Sequence, residues 1–122
     1  MRTSSCKAKG RRACAEVKEL LHKYAPDLRP GDIEITSSGA CGEDIKLSPA
    51  AREKYPFVIE CKNQETISIW KALEQAEGHL VAVLDKGRII DVKALSPVLF
   101  FRRNRSKLYV ALDAEEFVRL IS

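Results

Sequence analysis

Apolar side chains recur at Ala13, Val17, Leu20, Leu21 and Tyr24, the spacing of one helix face, and predict an amphipathic helix over residues 11–25. Pro26 and then Pro30-Gly31 stop it and turn the chain. The period then changes. Ile33 and Ile35 alternate with polar neighbours as in a short strand, and Ser37-Ser38-Gly39-Ala40-Cys41-Gly42 reads as a loop of small residues. Glu43-Asp44-Ile45-Lys46-Leu47 alternates again. Ser48-Pro49 supplies an N-cap and a first-turn proline, which predicts a brief helical turn through about Glu53.

After Pro56, Phe57-Val58-Ile59-Glu60-Cys61-Lys62 is the clearest strand pattern in the chain. A second helix is predicted from about Ser68 to Glu77, with Ile69, Leu73 and Ala76 on one face and Trp70 beside them. Residues 80–96 admit two readings. One is a hairpin of strands 80–84 and 88–92 around Asp85-Lys86-Gly87; the other continues the helix past Gly78. The hairpin is the expectation adopted. Segments 97–101 and 108–112 read as two strands joined by the polar turn Asn104-Arg105-Ser106. Asp113-Ala114-Glu115-Glu116 resembles a capping box, and Phe117, Leu120 and Ile121 give the last helix an apolar side. No internal repeat is present. The order of elements predicts an α/β fold with a mixed central sheet flanked by helices.

Composition narrows the class. The 122 residues are 45% hydrophobic and 31% charged, as expected for a single globular domain over 1–122 with a radius of gyration of roughly 14 Å. One core leaves little room for a separate functional layer, so any chemistry must sit on the core elements. No stretch approaches the ~20 apolar residues that cross a bilayer. The start of the chain, MRTSSCKAKGRR, is basic and leads into an amphipathic segment, not an apolar signal core, and a cytoplasmic location is expected. Cys6, Cys14, Cys41 and Cys61 form no C-x-x-C pair, and no histidine is spaced to complete a familiar zinc pattern. Reduced, structurally incidental thiols are favoured over disulfides, and a zinc-binding scaffold is the weakest alternative. The net charge of +4 conceals two acid-free clusters: Arg2, Lys7, Lys9, Arg11 and Arg12, and then Arg102, Arg103, Arg105 and Lys107. Either cluster alone reads as a solvated end; two of them beside a site for phosphate read as anion grips.

Strand alternation sends Phe57, Ile59 and Cys61 to one face and Val58, Glu60 and Lys62 to the other. A Glu and a Lys thus emerge side by side at the end of an apolar strand. A lone E-x-K is most often an ion pair. Asp44, sixteen residues earlier on a strand of its own, changes the balance. A strand, a short connection and a second strand bring the two carboxylates to one sheet end, where like charges repel unless a cation separates them. Mg²⁺ favours that arrangement, taking one or two carboxylates with waters and phosphate oxygens. Lys62 then supplies a compact positive charge for an attacking water or a phosphoryl transition state.

Gly42-Glu43-Asp44-Ile45 followed by Ile59-Glu60-Cys61-Lys62 resembles the PD-(D/E)XK nuclease superfamily, whose members include restriction enzymes and Holliday junction resolvases. The run from Ser38-Gly39 through Lys62-Asn63-Gln64-Glu65, with Ile69-Trp70 to Gln75-Ala76, is especially similar to small nucleases of phage and prophage origin. Lys9-Gly10 matches a Lys-Gly near the start of the first helix in the resolvase branch. The resemblance covers residues 7–78 and, more loosely, the basic end of strand 97–103. It implies a restriction-endonuclease-like core and a Mg²⁺-dependent endonuclease, with Mn²⁺ able to substitute. Asp44, Glu60 and the backbone carbonyl of Cys61 would bind the metal, Lys62 would assist the attacking water, and Gln75 would support the site or contact DNA. Lys7, Lys9, Arg11, Arg12, Arg102, Arg103 and Arg105 would grip DNA phosphates; the resolvase likeness is compatible with a homodimer, and the phage likeness implies action in a bacterial host.

Two departures stand out. Glu43 occupies the place of the motif's proline, which is often absent. Cys14 occupies the place of a metal-linked Glu four residues after the Lys-Gly glycine. The nearest acid, Glu16, points about 200° around the helix from that position; it serves the site only if the helix is rotated, and is otherwise an exposed helical Glu. His22 and His79 read as structural or surface residues. The competing functional class is a nucleic-acid-binding module on the same fold that has lost turnover.

Overall fold

The computed structural model describes the backbone of residues 2–36, 43–85 and 95–122, and the side chains of 10–36, 43–80 and 95–122. Helix α1 spans Arg2–Lys23, β1 Ile33–Ile35, β2 Ile45–Leu47, α2 Pro49–Lys54, β3 Phe57–Asn63, α3 Ile69–Asp85, β4 Ser96–Arg102, β5 Tyr109–Ala111 and α4 Ala114–Ile121. The strands form one sheet in the order β1-β2-β3-β4-β5. β3 and β4 run parallel, from Phe57 opposite Ser96 to Asn63 opposite Arg102, and the other neighbours are antiparallel. This is the expected mixed α/β architecture. The parallel pair requires a crossover of a dozen or more residues, and α3 is that crossover.

α1 begins at Arg2, well before the expected start at 11. Nothing between Arg2 and Lys9 breaks a helix, and Gly10, which stands in open space, costs only helix propensity. The packed face is Ala13, Cys14, Val17 and Leu21, which close the core against Ile33, Ile45, Ile59, Cys61, Val98 and Phe100 of the sheet. Burying Val17 and Leu21 contributes on the order of 1.5–3 kcal/mol each. Leu20 and Tyr24 lie off this face and are exposed. Pro26 bars Ala25 from continuing the helix, and the Tyr55 hydroxyl caps the end by donating 2.7 Å to the Leu21 carbonyl.

The other side of the sheet is covered by α3. Ala72 and Ala76 are buried there and half-buried Leu73 flanks them, while Trp70 is 79% exposed. The expected hairpin at 80–84 is overturned: the helix continues through Gly78 to Asp85. The physical reason is tertiary packing. The Ala72–Ala76 stripe continues the helical period, and Gly78 sits on the exposed side, where its missing side chain costs only propensity. Segment 88–92, the second half of that hairpin, lies outside the described residues, as does the loop 37–42.

Local chemistry fixes the remaining ends. The Ser48 hydroxyl accepts from Ala51 N at 3.1 Å, the expected N-cap of α2, and donates to Asp32 at 2.7 Å. Asp113 caps α4 by accepting from Glu115 N and Glu116 N. Arg105 takes a φ of 62° in the turn between β4 and β5, the left-handed conformation that a tight connection demands there. Phe117, Val118 and Ile121 of α4 remain largely exposed.

Candidate active site

Asp44 enters β2 directly across from the middle of β3. Its backbone N–H donates 2.9 Å to the Ile59 carbonyl, and its Oδ2 accepts 2.8 Å from the Cys61 N–H. Two bonds to one strand leave the carboxylate little freedom. Thr36, at the end of β1, donates from Oγ1 to the carbonyls of Glu43 and Asp44, 3.1 Å each, and closes the strand pair behind the loop. Glu43, in the place of the motif's proline, is 2% exposed and pairs at 3.2 Å with Arg52, which also donates 2.6 Å to the Phe57 carbonyl. It is a buried strap from the loop to α2 and β3, and breaking one half of such a pair is costly.

Glu60 lies on the α3 side of β3 and is 4% exposed. Its Oε2 stands 3.2 Å from Lys62 Nζ, two residues along the same face, as alternation requires. Burial first, and the Asp44 carboxylate second, push the Glu60 carboxyl up to about 7, against the opposing pull of Lys62. Two carboxylates facing each other beside a single lysine disfavour two negative charges at once. Glu60 Oε1 and His79 Nδ1 are sealed from solvent and 3.1 Å apart, yet neither has a hydrogen-bond partner. Orphaned buried acceptors beside paired acids are the donor set of a cation, so the residues present fit a divalent metal. Among the described residues no group of three or more His, Cys, Asp or Glu side chains stands gathered to hold a metal ion, so a backbone carbonyl, waters or substrate oxygens would have to complete a set begun by the two carboxylates.

The structure thus brings together Asp44, Glu60 and Lys62, with the backbone N–H of Cys61 bonded to Asp44. It does not bring Gln75 to them: that residue is exposed on α3 and makes no hydrogen bond to these side chains among the described residues. Nor does it bring Glu16, which is held at 2.6 Å by Arg102 at the end of β4. The rotation of α1 that would aim Glu16 at the site is excluded by the buried face of Ala13, Cys14 and Val17. Cys14 packs under β3 with Cys61, both as free thiols. Hydrogen bonding to Cys14, burial and the nearby carboxylates raise the Cys61 thiol, and the bond from Cys61 lowers that of Cys14. These are structural sulfurs in the core.

Of the basic residues, Arg102 is engaged by Glu16, whereas Arg11, Arg12, Arg103, Arg105 and Lys107 are exposed. The side chains of Lys7 and Lys9 lie outside the described residues. An open cleft of about 330 Å³ at the same end of β3 and β4 is lined by Gln64, Glu65, Ile69, Phe101, Arg103 and Tyr109. Asn104 N donates 2.6 Å to Glu65 there and fixes the basic turn against the strand end.

His79 is the residue that sequence reasoning missed. Its signal was the helix: once α3 runs past Gly78, residue 79 lies one turn beyond Gln75 and three beyond Ala76, above Glu60. His22, by contrast, sits near the far end of α1.

No helix of the described residues is long and apolar enough to cross a membrane. Comparison with curated proteins and with solved structures yields no match. Residues 7–121 match the model of a family described as "Phage putative PDDEXK endonuclease". The match runs through α1, the Asp44 and Glu60-x-Lys62 strands and the sheet beyond them, and the chain belongs to this PDDEXK endonuclease family.

Proposed function

We propose that residues 1–122 act as one nuclease domain that hydrolyses phosphodiester bonds within DNA, with a divalent cation, in the cytoplasm of a bacterial host. The observation that carries this reading is the pair of facing carboxylates, Asp44 and Glu60, with Lys62 3.2 Å from the latter. Asp44, Glu60 and the Cys61 carbonyl are the groups that would hold Mg²⁺ or Mn²⁺. Such an ion, when bound, polarises a phosphoryl oxygen and acidifies a water. Lys62, tethered beside Glu60, orients the attacking water and offsets the charge that grows on the phosphate. Arg11, Arg12, Arg103 and Arg105, with Lys7 and Lys9 on the same helix as the first two, contact flanking phosphates and fix register without reading sequence. Gln75, exposed on α3, is assigned to DNA contact. A homodimer, as in junction resolvases, belongs to the same proposal and is tested by sedimentation.

The second reading is a DNA-binding module without turnover. One observation favours it: the helix-1 acid of resolvases is replaced by buried Cys14, and Glu16 is occupied by Arg102. The test is incubation of labelled branched, nicked, duplex and single-stranded DNA with the protein in EDTA, Mg²⁺ or Mn²⁺. Cleavage of at least one form that needs the cation, and is lost in Glu60→Gln, supports the nuclease. Binding with no cleavage of any form would replace it with the module.

A further inference from the structure

The chemistry above leaves one group beside Glu60 unused. His79 Nδ1 stands 3.1 Å from Glu60 Oε1, and both atoms are closed off from solvent with no hydrogen-bond partner. The spacing is within ion-pair range, but the alignment is not that of a hydrogen bond, so neither atom has a hydrogen-bond partner in this arrangement. Leaving buried polar atoms without a partner is unfavourable. A cation reconciles the distance with the orientation. Ligand bonds of about 2.1 Å to oxygen and to imidazole nitrogen, at right angles, put two adjacent ligands roughly 3 Å apart. That is the edge of an octahedral shell.

We propose that His79, through Nδ1, is a ligand of the same metal centre as Glu60, so that the site discriminates in favour of first-row transition ions over Mg²⁺. The inference rests on the metal-site reading of Asp44 and Glu60. Mg²⁺ is a hard ion that prefers oxygen and gains little from imidazole, whereas Co²⁺ and its neighbours bind imidazole well. Two carboxylates and water suit Mg²⁺ as well as Mn²⁺; a nitrogen donor shifts the preference toward the later first-row ions. α3 supplies the rigidity this needs: Ala72 and Ala76 seat the helix on the sheet, and His79 follows Ala76 by less than one turn.

The experiment uses the full chain without DNA and reads binding, not cleavage. Mn²⁺ is the spectroscopic probe, by pulsed electron paramagnetic resonance for nitrogen coupling, and Co²⁺ and Mg²⁺ affinities are measured by calorimetry. Wild type should show ¹⁴N modulation on bound Mn²⁺ that changes to the ¹⁵N pattern in protein labelled with ¹⁵N-histidine, a test needing no variant. The modulation should persist in His22→Ala and vanish in His79→Ala. His79→Ala should also weaken Co²⁺ by roughly 10–100-fold, with Mg²⁺ changed less than about threefold. Bound Mn²⁺ without histidine nitrogen coupling overturns the proposal. So does equal weakening of Co²⁺ and Mg²⁺ in His79→Ala, which would make His79 a prop for Glu60. If Asp44→Asn and Glu60→Gln leave metal binding undiminished, the metal-site reading falls as well, and the two failures are told apart.

Discussion

Replacing Glu60 with glutamine should make the metal-free protein more stable while removing its capacity to hold a cation. The carboxyl moves from an ordinary 4.5 to about 7 on folding, chiefly through burial and next through Asp44. A group raised in the folded state gives its full contribution to stability below about 4.5 and loses it as pH climbs through about 7. At roughly 1.4 kcal/mol per tenfold change in proton affinity, the charged side chain costs the fold about 3 kcal/mol at pH 8. Glutamine mimics the protonated form and escapes that cost. In EDTA at pH 8, Glu60→Gln should melt on the order of 10 °C above wild type, and at pH 5 the two should differ by less than about 1 kcal/mol. Circular dichroism melts and urea titrations at both pH values measure this. Adding Mn²⁺ at pH 8 should reverse the order, because ligand linkage stabilises only the chain that binds. A variant no more stable than wild type at pH 8, or equally stabilised at pH 5, would refute the claim that a buried unneutralised charge sits at this position.

Lys62→Ala should leave Mn²⁺ affinity nearly intact and slow single-turnover DNA cleavage by about 10²-fold or more, since the ammonium acts mainly on charge that develops in the transition state; cleavage at the wild-type rate would put the active site elsewhere. Arg103→Ala combined with Arg105→Ala should flatten the salt dependence of duplex binding by about 0.9 log units in K per log unit of salt for each phosphate left unneutralised, and an unchanged slope would route the DNA away from the β4–β5 turn. Gly78→Ala should raise stability by about 0.5–1 kcal/mol, because the added methyl group meets no atom within 4 Å on an exposed helical turn; destabilisation in urea titrations would mean that the residue is not helical.

Much of this molecule was legible in local pattern. Alternation along 57–62 separated Ile59 and Cys61, which join the α1 core, from Glu60 and Lys62, which meet across the other face. Ser48 and Asp113 announced helix starts because a side-chain oxygen at an N-cap needs nothing beyond three residues of context. What stayed hidden depended on distant partners. Gly78 looked like a boundary, but Ala72 and Ala76 hold α3 on the sheet and carry the helix through it. His79 consequently could not be connected with Glu60, nineteen residues away and on another element. Gln75 carried a family motif, whereas its position on the helix leaves it exposed. Glu16 and Arg102 lie 86 positions apart, and no periodicity couples them.

The parallel pairing of β3 with β4 also sets an order of assembly. β2 and β3 are joined through the short α2 and can pair early, bringing Asp44 to Ile59 and Cys61 across local contacts. β4 cannot join β3 until the whole crossover has been synthesised and docked, a non-local closure of the kind that slows folding. During translation the two acids therefore exist as a motif before β4 completes the floor on which α3 rests. A chain cut short ahead of Ser96 would keep Asp44, Glu60 and Lys62 but lack the strand that backs them. Competence is thereby tied to the parallel closure of β3 with β4, and a half-made chain carries the acids without the enclosure that raises the Glu60 carboxyl.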